Sequence, residues 1–290
     1  AQMDGASIYE LLDTEKVTIT AAVPTVWLGL LTYLRENNLK LPHLRKVLIG
    51  GSAIPEAILR AFETEYEVDV IHAWGMTETS PLGTLGSLPP HLMDADIDTR
   101  MGQKLKQGRP PFGVELKIVD DENKDLPWDG EAAGRLVVRG PAIAGGYFKG
   151  DGGNVLDEDG FFDTGDVANI DQYGTMQITD RAKDVIKSGG EWISSIDIEN
   201  IAVGHPKVAN AAAIGIYHPK WDERPLLIIQ SAPGETPSKE EVLGQLEGKI
   251  AKWWTPDDVA FIEEIPLGAT GKINKLKLRE IFKDYTLPTA

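Results

Sequence analysis

Over its first hundred residues the chain alternates short apolar runs with helix-length amphipathic stretches, and this constrains the fold more than any other feature. Ile8-Tyr9-Glu10-Leu11-Leu12 reads as helix and Val17-Thr18-Ile19-Thr20-Ala21 as strand, and Pro24 opens a second helix through Trp27 and Leu31. Lys46-Val47-Leu48-Ile49 is a short buried strand that ends in Gly50-Gly51-Ser52. Pro55 suits the first turn of a helix carrying Ile58, Leu59 and Phe62, and Val68 to Ile71 is the next strand. Strand–helix–strand order of this kind implies a mostly parallel sheet.

The texture changes near residue 100. Val114 to Val119 and Arg135 to Val138 read as short strands around an Asp129-Gly130 turn, which implies a small antiparallel sheet or barrel. A third texture starts near Asp180: Ser194 or Ser195 can cap a short helix, Val208 to Ile216 and Leu226 to Ser231 read as strands, and Thr236-Pro237-Ser238 opens a helix with Val242, Leu246 and Ile250 on one face. This last part resembles a compact α+β unit.

Bulk properties exclude several function classes. A formal net charge of −16 argues against a general nucleic-acid surface while leaving room for a local phosphate site. With no cysteine there is neither a disulfide framework nor a thiolate nucleophile, and the five histidines are never spaced as ligand pairs. No apolar run approaches the roughly 20 residues of a membrane span. No signal peptide is visible, so the expected location is the cytoplasm.

Four constellations carry candidate chemistry. Ala73-Trp74-Gly75-Met76-Thr77-Glu78 follows the Val68–Ile71 strand, where ligands of open α/β sheets sit. Trp74 can offer a π-face to a base or support the loop, Gly75 permits close backbone approach, Thr77 can donate to a phosphate, and Glu78 can hold Mg²⁺ through oxygen. An ordinary strand-end turn with a buried Trp fits the same residues. Asp166, behind Thr164-Gly165, can accept from a pair of adjacent hydroxyls such as a ribose diol, or can be a plain β-turn Asp. Arg181 offers a donor fork, and Ser188-Gly189-Gly190 a backbone that can approach a ligand; a solvated charged linker is the alternative. Pro266-Leu267-Gly268-Ala269-Thr270-Gly271-Lys272 is not a P-loop, because Gly268 is three residues before Gly271 and Ile273 stands where a Mg²⁺-binding hydroxyl belongs. Lys272 remains a candidate point charge for a phosphate or carboxylate, against the alternative of a surface loop.

Taken in order, Gly50-Gly51-Ser52-Ala53, Trp74 to Glu78, Gly108-Arg109-Pro110, Thr164-Gly165-Asp166, Asp180-Arg181-Ala182-Lys183-Asp184 and Gly271-Lys272 resemble the adenylate-forming enzymes. That superfamily comprises acyl-CoA synthetases, luciferases and peptide-synthetase adenylation domains. Lys187 to Ser194 resembles the CoA-ligase version of the loop that follows the hinge, and His218 to Pro225 and Lys252 to Asp258 resemble the medium-chain acyl-CoA ligases and the methylmercaptopropionate-CoA ligases.

The resemblance implies an α/β plus α+β fold. Residues 1–181 would be the C-terminal part of a large parallel-sheet domain, with sheet over 1–100 and a small β-barrel-like subdomain over 101–181. Residues 182–290 would form a small mobile α+β C-terminal domain, with its hinge near Lys183. It implies an AMP-forming acid–thiol ligase using a small carboxylic acid, ATP, Mg²⁺ and CoA. Lys272 would bridge carboxylate and α-phosphate, Thr77 would bind the α-phosphate and Glu78 the Mg²⁺. Asp166 and Arg181 would hold the ribose. Gly51, Ser52 and Ala53 would line the adenine and acyl pocket beside Trp74, Gly75 and Met76. Lys187, Ser188, Gly189, Gly190 and Trp192 would face CoA. Val23, Pro24 and Trp27 are weaker candidates for the wall of an acyl tunnel. A homodimer is compatible with these features.

The chain departs from the family pattern at Asp163, where many relatives carry Arg, and in lacking the Ser/Thr/Gly-rich phosphate loop upstream of Gly50. It is therefore expected to be the C-terminal part of a longer protein, unable to adenylate alone. The competing expectations are a non-catalytic nucleotide- or CoA-binding module, and an adenylation domain or luciferase that does not use CoA.

Overall fold

The computed structural model describes residues 3–268 and 272–290 of the chain. It divides into two compact units, Ala1–Ile178 and Thr179–Ala290.

The first unit opens with helix α1 (Gly5–Thr14), capped by Asp4, whose carboxylate accepts from Ser7 N–H at 2.8 Å. Strand β1 (Ile19–Ala22), helix α2 (Pro24–Glu36, with Pro24 in its first turn), strand β2 (Lys46–Ile49), helix α3 (Glu56–Arg60, continued by a π-turn) and strand β3 (Asp69–Trp74) follow. β1, β2 and β3 pair in parallel in sequence order, and β4 (Thr84–Leu85) closes the edge antiparallel to β3. The apolar faces of α1, α2 and α3 supply the core, with Trp27, Leu30, Leu34, Phe62 and Val47 at 1% exposure or less. Trp27 packs edge-on against Phe62 and donates to Ala22 O at 3.2 Å, so it is a core residue.

After helix α4 (Ile97–Lys104) come β5 (Glu115–Val119), β6 (Gly134–Arg139), β7 (Phe162–Ile170) and β8 (Met176–Arg181), which form a second sheet in that order. The region expected to be barrel-like is an open sheet, and no closed barrel forms among the described residues. Bridges Leu85↔Arg109 and Gly108↔Met176 stitch it to β4. Gly108 is required there: at φ +89°, a Cβ would stand 2.0 Å from Leu85 O.

The second unit is built on a five-stranded sheet. β9 (Ile186–Ser188) and β10 (Glu191–Ile193) form a hairpin, and helix α5 (Ser195–Val203) follows. β11 (Val208–His218) pairs antiparallel with the central β12 (Asp222–Ser231). Helix α6 (Lys239–Leu246) leads to β13 (Asp258–Ile262), which lies parallel to β12 on its other side, and helix α7 (Lys275–Ile281) ends the fold. One face of this sheet buries Ile198, Ala202, Val242 and Leu246, and the other buries Ile265, Leu278 and Leu287.

Candidate active site

Three loops leave the carboxyl ends of β1, β2 and β3, and the one after β2 packs against the end of β3. Gly50 packs against the end of β3 so closely that a Cβ would lie 2.9 Å from Ala73 O. Gly51, at φ +87°, and Ser52 are exposed beyond it, and Ala53 is half-buried.

The turn after β3 is locked from within. A Cβ on Gly75 would lie 1.8 Å from Pro81 O, so only glycine fits. Met76 N–H donates to Thr79 Oγ1 at 2.9 Å, and that hydroxyl in turn reaches Pro81 O at 2.8 Å. This leaves Thr77 exposed at the head of a short 3₁₀ turn. Glu78 is half-buried and held at both ends. Its carboxylate accepts from Tyr147 Oη at 2.7 Å, and its carbonyl accepts from Ala144 N–H at 2.8 Å. That hydrogen bond to Glu78 raises the Tyr147 hydroxyl above the usual tyrosine range, so it stays protonated and donating.

Asp166 arrives from the second sheet on a bulge. Val137 pairs with Asp163 and Arg135 with Val167, so β7 spends three residues, Thr164, Gly165 and Asp166, where β6 spends one, Leu136. Gly165 at φ +70° makes the excursion possible. The result turns Asp166 inward, 5% exposed, where Trp74 Nε1 donates to its carboxylate at 2.8 Å. Trp74 is thus a buried support for Asp166, packed on Gly83, where a Cβ would stand 2.1 Å from the ring. Asp163 forms a 2.5 Å ion pair with Arg135 and accepts from Gly165 N–H at 2.9 Å.

Beneath these loops His72, 2% exposed, meets Leu105 O at 2.8 Å and lies beside Gln107. Burial lowers its pKa to about 4, so it is neutral near pH 7.

The remaining candidates lie in the second unit. Arg181 and Lys183 are exposed on the segment that opens it. Gly189 and Gly190, at φ +62° and +89°, are the central pair of the two-residue β9–β10 turn, which needs positive φ at both positions. Gly189 N–H donates to Trp221 O at 2.7 Å, and the Trp221 ring covers this glycine. Ser188 is 5% exposed, its hydroxyl accepting from Arg224 Nη1 at 3.2 Å. Arg224 also reaches Asp257 at 2.7 Å and the carbonyls of Trp253 and Thr255. Lys187 and Trp192 face outward on the hairpin.

Ala269, Thr270 and Gly271 lie outside the described residues. Lys272 follows them, its carbonyl accepting from Gly268 N–H at 2.7 Å beside a Leu267↔Ile273 bridge.

Sequence reasoning missed Tyr147, Thr79, Arg224 and the buried ionic groups of the second unit. Tyr147 lies 69 residues from its partner, and no local pattern marks it.

This arrangement defines a class: an α/β fold whose strand-end loops present a hydroxyl at Thr77 and a fixed carboxylate at Glu78, with a buried aspartate brought in on a bulge of the second sheet. A family model described as AMP-binding enzyme matches residues 1–148, and one described as AMP-binding enzyme C-terminal domain matches residues 197–272. The chain belongs to the AMP-binding enzyme family. It is 51% identical over 282 residues to a 3-methylmercaptopropionyl-CoA ligase of Ruegeria lacuscaerulensis, covering 97% of this chain and 52% of that protein. To a medium-chain-fatty-acid–CoA ligase of Ectopseudomonas oleovorans it is 48% identical over 285 residues, covering 98% and 52%. The solved structure of ATP-bound MatB from Rhodopseudomonas palustris matches with a TM-score of 0.81 at 28% identity, over 97% of this chain and 54% of that one. The chain thus spans about half the length of the relatives it matches. Among the described residues, no helix is long and apolar enough to cross a membrane.

Proposed function

We propose that this chain is the nucleotide- and CoA-handling part of a cytoplasmic, AMP-forming acyl-CoA ligase. The observation that carries the reading is 48–51% identity to two acyl-CoA ligases along nearly the whole chain. A carboxylate oxygen of the acid attacks the α-phosphorus of ATP, and the bond to pyrophosphate breaks. The CoA thiolate then attacks the acyl carbon, and AMP leaves. The acid is a short or medium-chain fatty acid or a methylmercaptopropionate-like acid, which places the enzyme in fatty-acid or related acid metabolism.

Thr77 donates to the α-phosphate, and Asp166, pre-oriented by Trp74, accepts from the ribose hydroxyls with Arg181 assisting. Gly51, Ser52 and Ala53 border the adenine and acyl group, with the backbone of Gly75 and Met76. Lys272 offsets the charge that develops at the α-phosphate. Lys183 is the hinge. Lys187, Gly189, Gly190 and Trp192 meet CoA, with the Ser188 hydroxyl supporting the turn from inside.

Glu78 is a fixed single carboxylate, and no group of three or more acidic, His or Cys side chains that could cage a metal occurs among the described residues. That fits Mg²⁺, which is commonly held by one or two carboxylates plus substrate phosphates. The ion would supply charge neutralisation on the phosphates; the protein's part is to hold Glu78 still.

The test is a panel of carboxylic acids with ATP, Mg²⁺ and CoA on the full-length protein, reading pyrophosphate release and loss of CoA thiol. Acid-dependent loss of both, with Lys272→Ala abolishing pyrophosphate release, is expected. Pyrophosphate release that is indifferent to CoA, with no thiol lost, would overturn the ligase reading.

A further inference from the structure

The second unit buries an ionic network for which the roles above give no use. Lys275, the first residue of α7, has a side chain 10% exposed, with its ammonium 2.7 Å from Glu199 Oε1. It also donates to the Ser195 hydroxyl at 2.5 Å. That hydroxyl donates to the Asp180 carboxylate at 2.8 Å, and Ser195 N–H adds a bond of 2.6 Å. Glu199 accepts in turn from Ala213 N–H of β11 at 2.7 Å. One turn along α7, Arg279 Nη2 lies 2.9 Å from Asp184 and donates to Lys183 O at 3.2 Å.

Helix α7 therefore holds the Asp184 end of the Asp180–Asp184 segment directly and the Asp180 end through the Ser195 hydroxyl, at the very start of the second unit. The same helix is capped by Asn274, whose carboxamide oxygen accepts from Lys277 N–H at 3.0 Å, and Ile273 packs into the core beside it. Lys272 is the next residue. A short, packed path thus runs from the Asp180–Asp184 segment through α7 to Lys272. Burying two carboxylates and an ammonium is rarely the most stabilising choice, since well-packed apolar residues of similar volume often do as well or better. What the network adds is a single fixed geometry.

We infer that α7 couples the Asp180–Asp184 segment to Lys272, with Lys275 and Arg279 as positioning residues for the adenylation half-reaction. This rests on the reading of Lys272 as the adenylation lysine. Loosening α7 displaces Lys272 without removing it, and a displacement of about 1 Å can lower a rate about 100-fold.

The experiment uses the full-length enzyme and separates the half-reactions. Carboxylate-dependent ATP–pyrophosphate exchange reports adenylation; thioester formation from supplied acyl-adenylate and CoA reports the second step. For Lys275→Met, exchange kcat is expected to fall about 10- to 100-fold with KM for ATP within about twofold, the pattern of a misplaced group. Thioester formation should stay within about threefold. Arg279→Gln should give a weaker version of the same split. Its side chain is 32% exposed, so it decides the matter by the same criteria if Lys275→Met does not fold.

A folded variant that loses both half-reactions equally, or neither, overturns the coupling. Lys272→Ala separates the two failures. If it abolishes exchange while Lys275→Met and Arg279→Gln leave exchange intact, the coupling alone is wrong. If it leaves exchange intact, the assignment of Lys272 falls and the coupling with it.

Discussion

At Asp166 one carboxylate oxygen is fixed by the Trp74 indole N–H. The indole N–H thus makes the contact, while Gly83 packs against the six-membered ring. Trp74→Phe keeps an aromatic ring in place but removes the donor together with part of the buried ring volume. Losing a hydrogen bond to a buried charge costs about 1.5–3 kcal/mol, so the melting temperature should fall by several degrees. If the bond also aims Asp166 at a ribose, KM for ATP should rise roughly tenfold, since 1.4 kcal/mol of lost binding has that effect. A lower melting temperature with unchanged KM would leave Trp74 a purely structural residue. Gly75→Ala acts more bluntly, because its Cβ would overlap Pro81 O. Backbone must move, and we expect a loss of about 3 kcal/mol or more, measurable in urea titrations.

At the scale of elements, the sequence was most readable where local chemistry and burial agreed. Pro24 opens α2 and Ser194 caps α5, its hydroxyl accepting from Asp197 N–H at 3.2 Å. α6 begins at the Ser238 cap, where Ser238 and Glu241 form a reciprocal capping box. Ser238→Ala should therefore cost about 1 kcal/mol and Ser238→Thr much less, by the midpoint of urea unfolding. The strand-end loops after β2 and β3 were legible too, because strand order alone places them at the carboxyl edge. What stayed hidden has specific causes. Thr164-Gly165-Asp166 is composed like a turn, yet it is a bulge inside β7, and only pairing with β6 reveals that. Pro225 looks like a strand breaker, yet it sits in central β12, just before the β13 ladder begins at Leu226↔Asp258, so no hydrogen bond to β13 is forfeited. α7 carries Lys275, Lys277 and Arg279 with only Leu278 buried, too little apolar periodicity to announce a helix. The ion pairs that hold it reach residues 76 and 95 positions earlier, beyond any local pattern.

For the whole molecule, acid acts on buried groups of opposite sign in the two units. In the second, burial raises both Asp180 and Glu199 above the usual carboxylate range, so falling pH favours their protonated native forms. In the first, burial lowers His72 to about 4 from 6.5. Its folded form refuses a proton that the unfolded chain accepts. The stability it supports is fully present above about pH 6.5 and drains away as pH falls toward 4, by up to about 3 kcal/mol. The groups facing it, Leu105 O, the Ser52 backbone and the Gln107 carboxamide, are all neutral, so no neighbouring charge offsets this loss. His72→Gln removes the titration and keeps a side chain able to hydrogen-bond. Urea unfolding at pH 7.5, 6, 5 and 4 should show the variant less stable than the parent at the top of this range, with the gap narrowing or reversing at the bottom. Every other titrating group is common to both proteins and cancels in the difference. A gap that stays constant across the range would mean that His72 contributes packing alone.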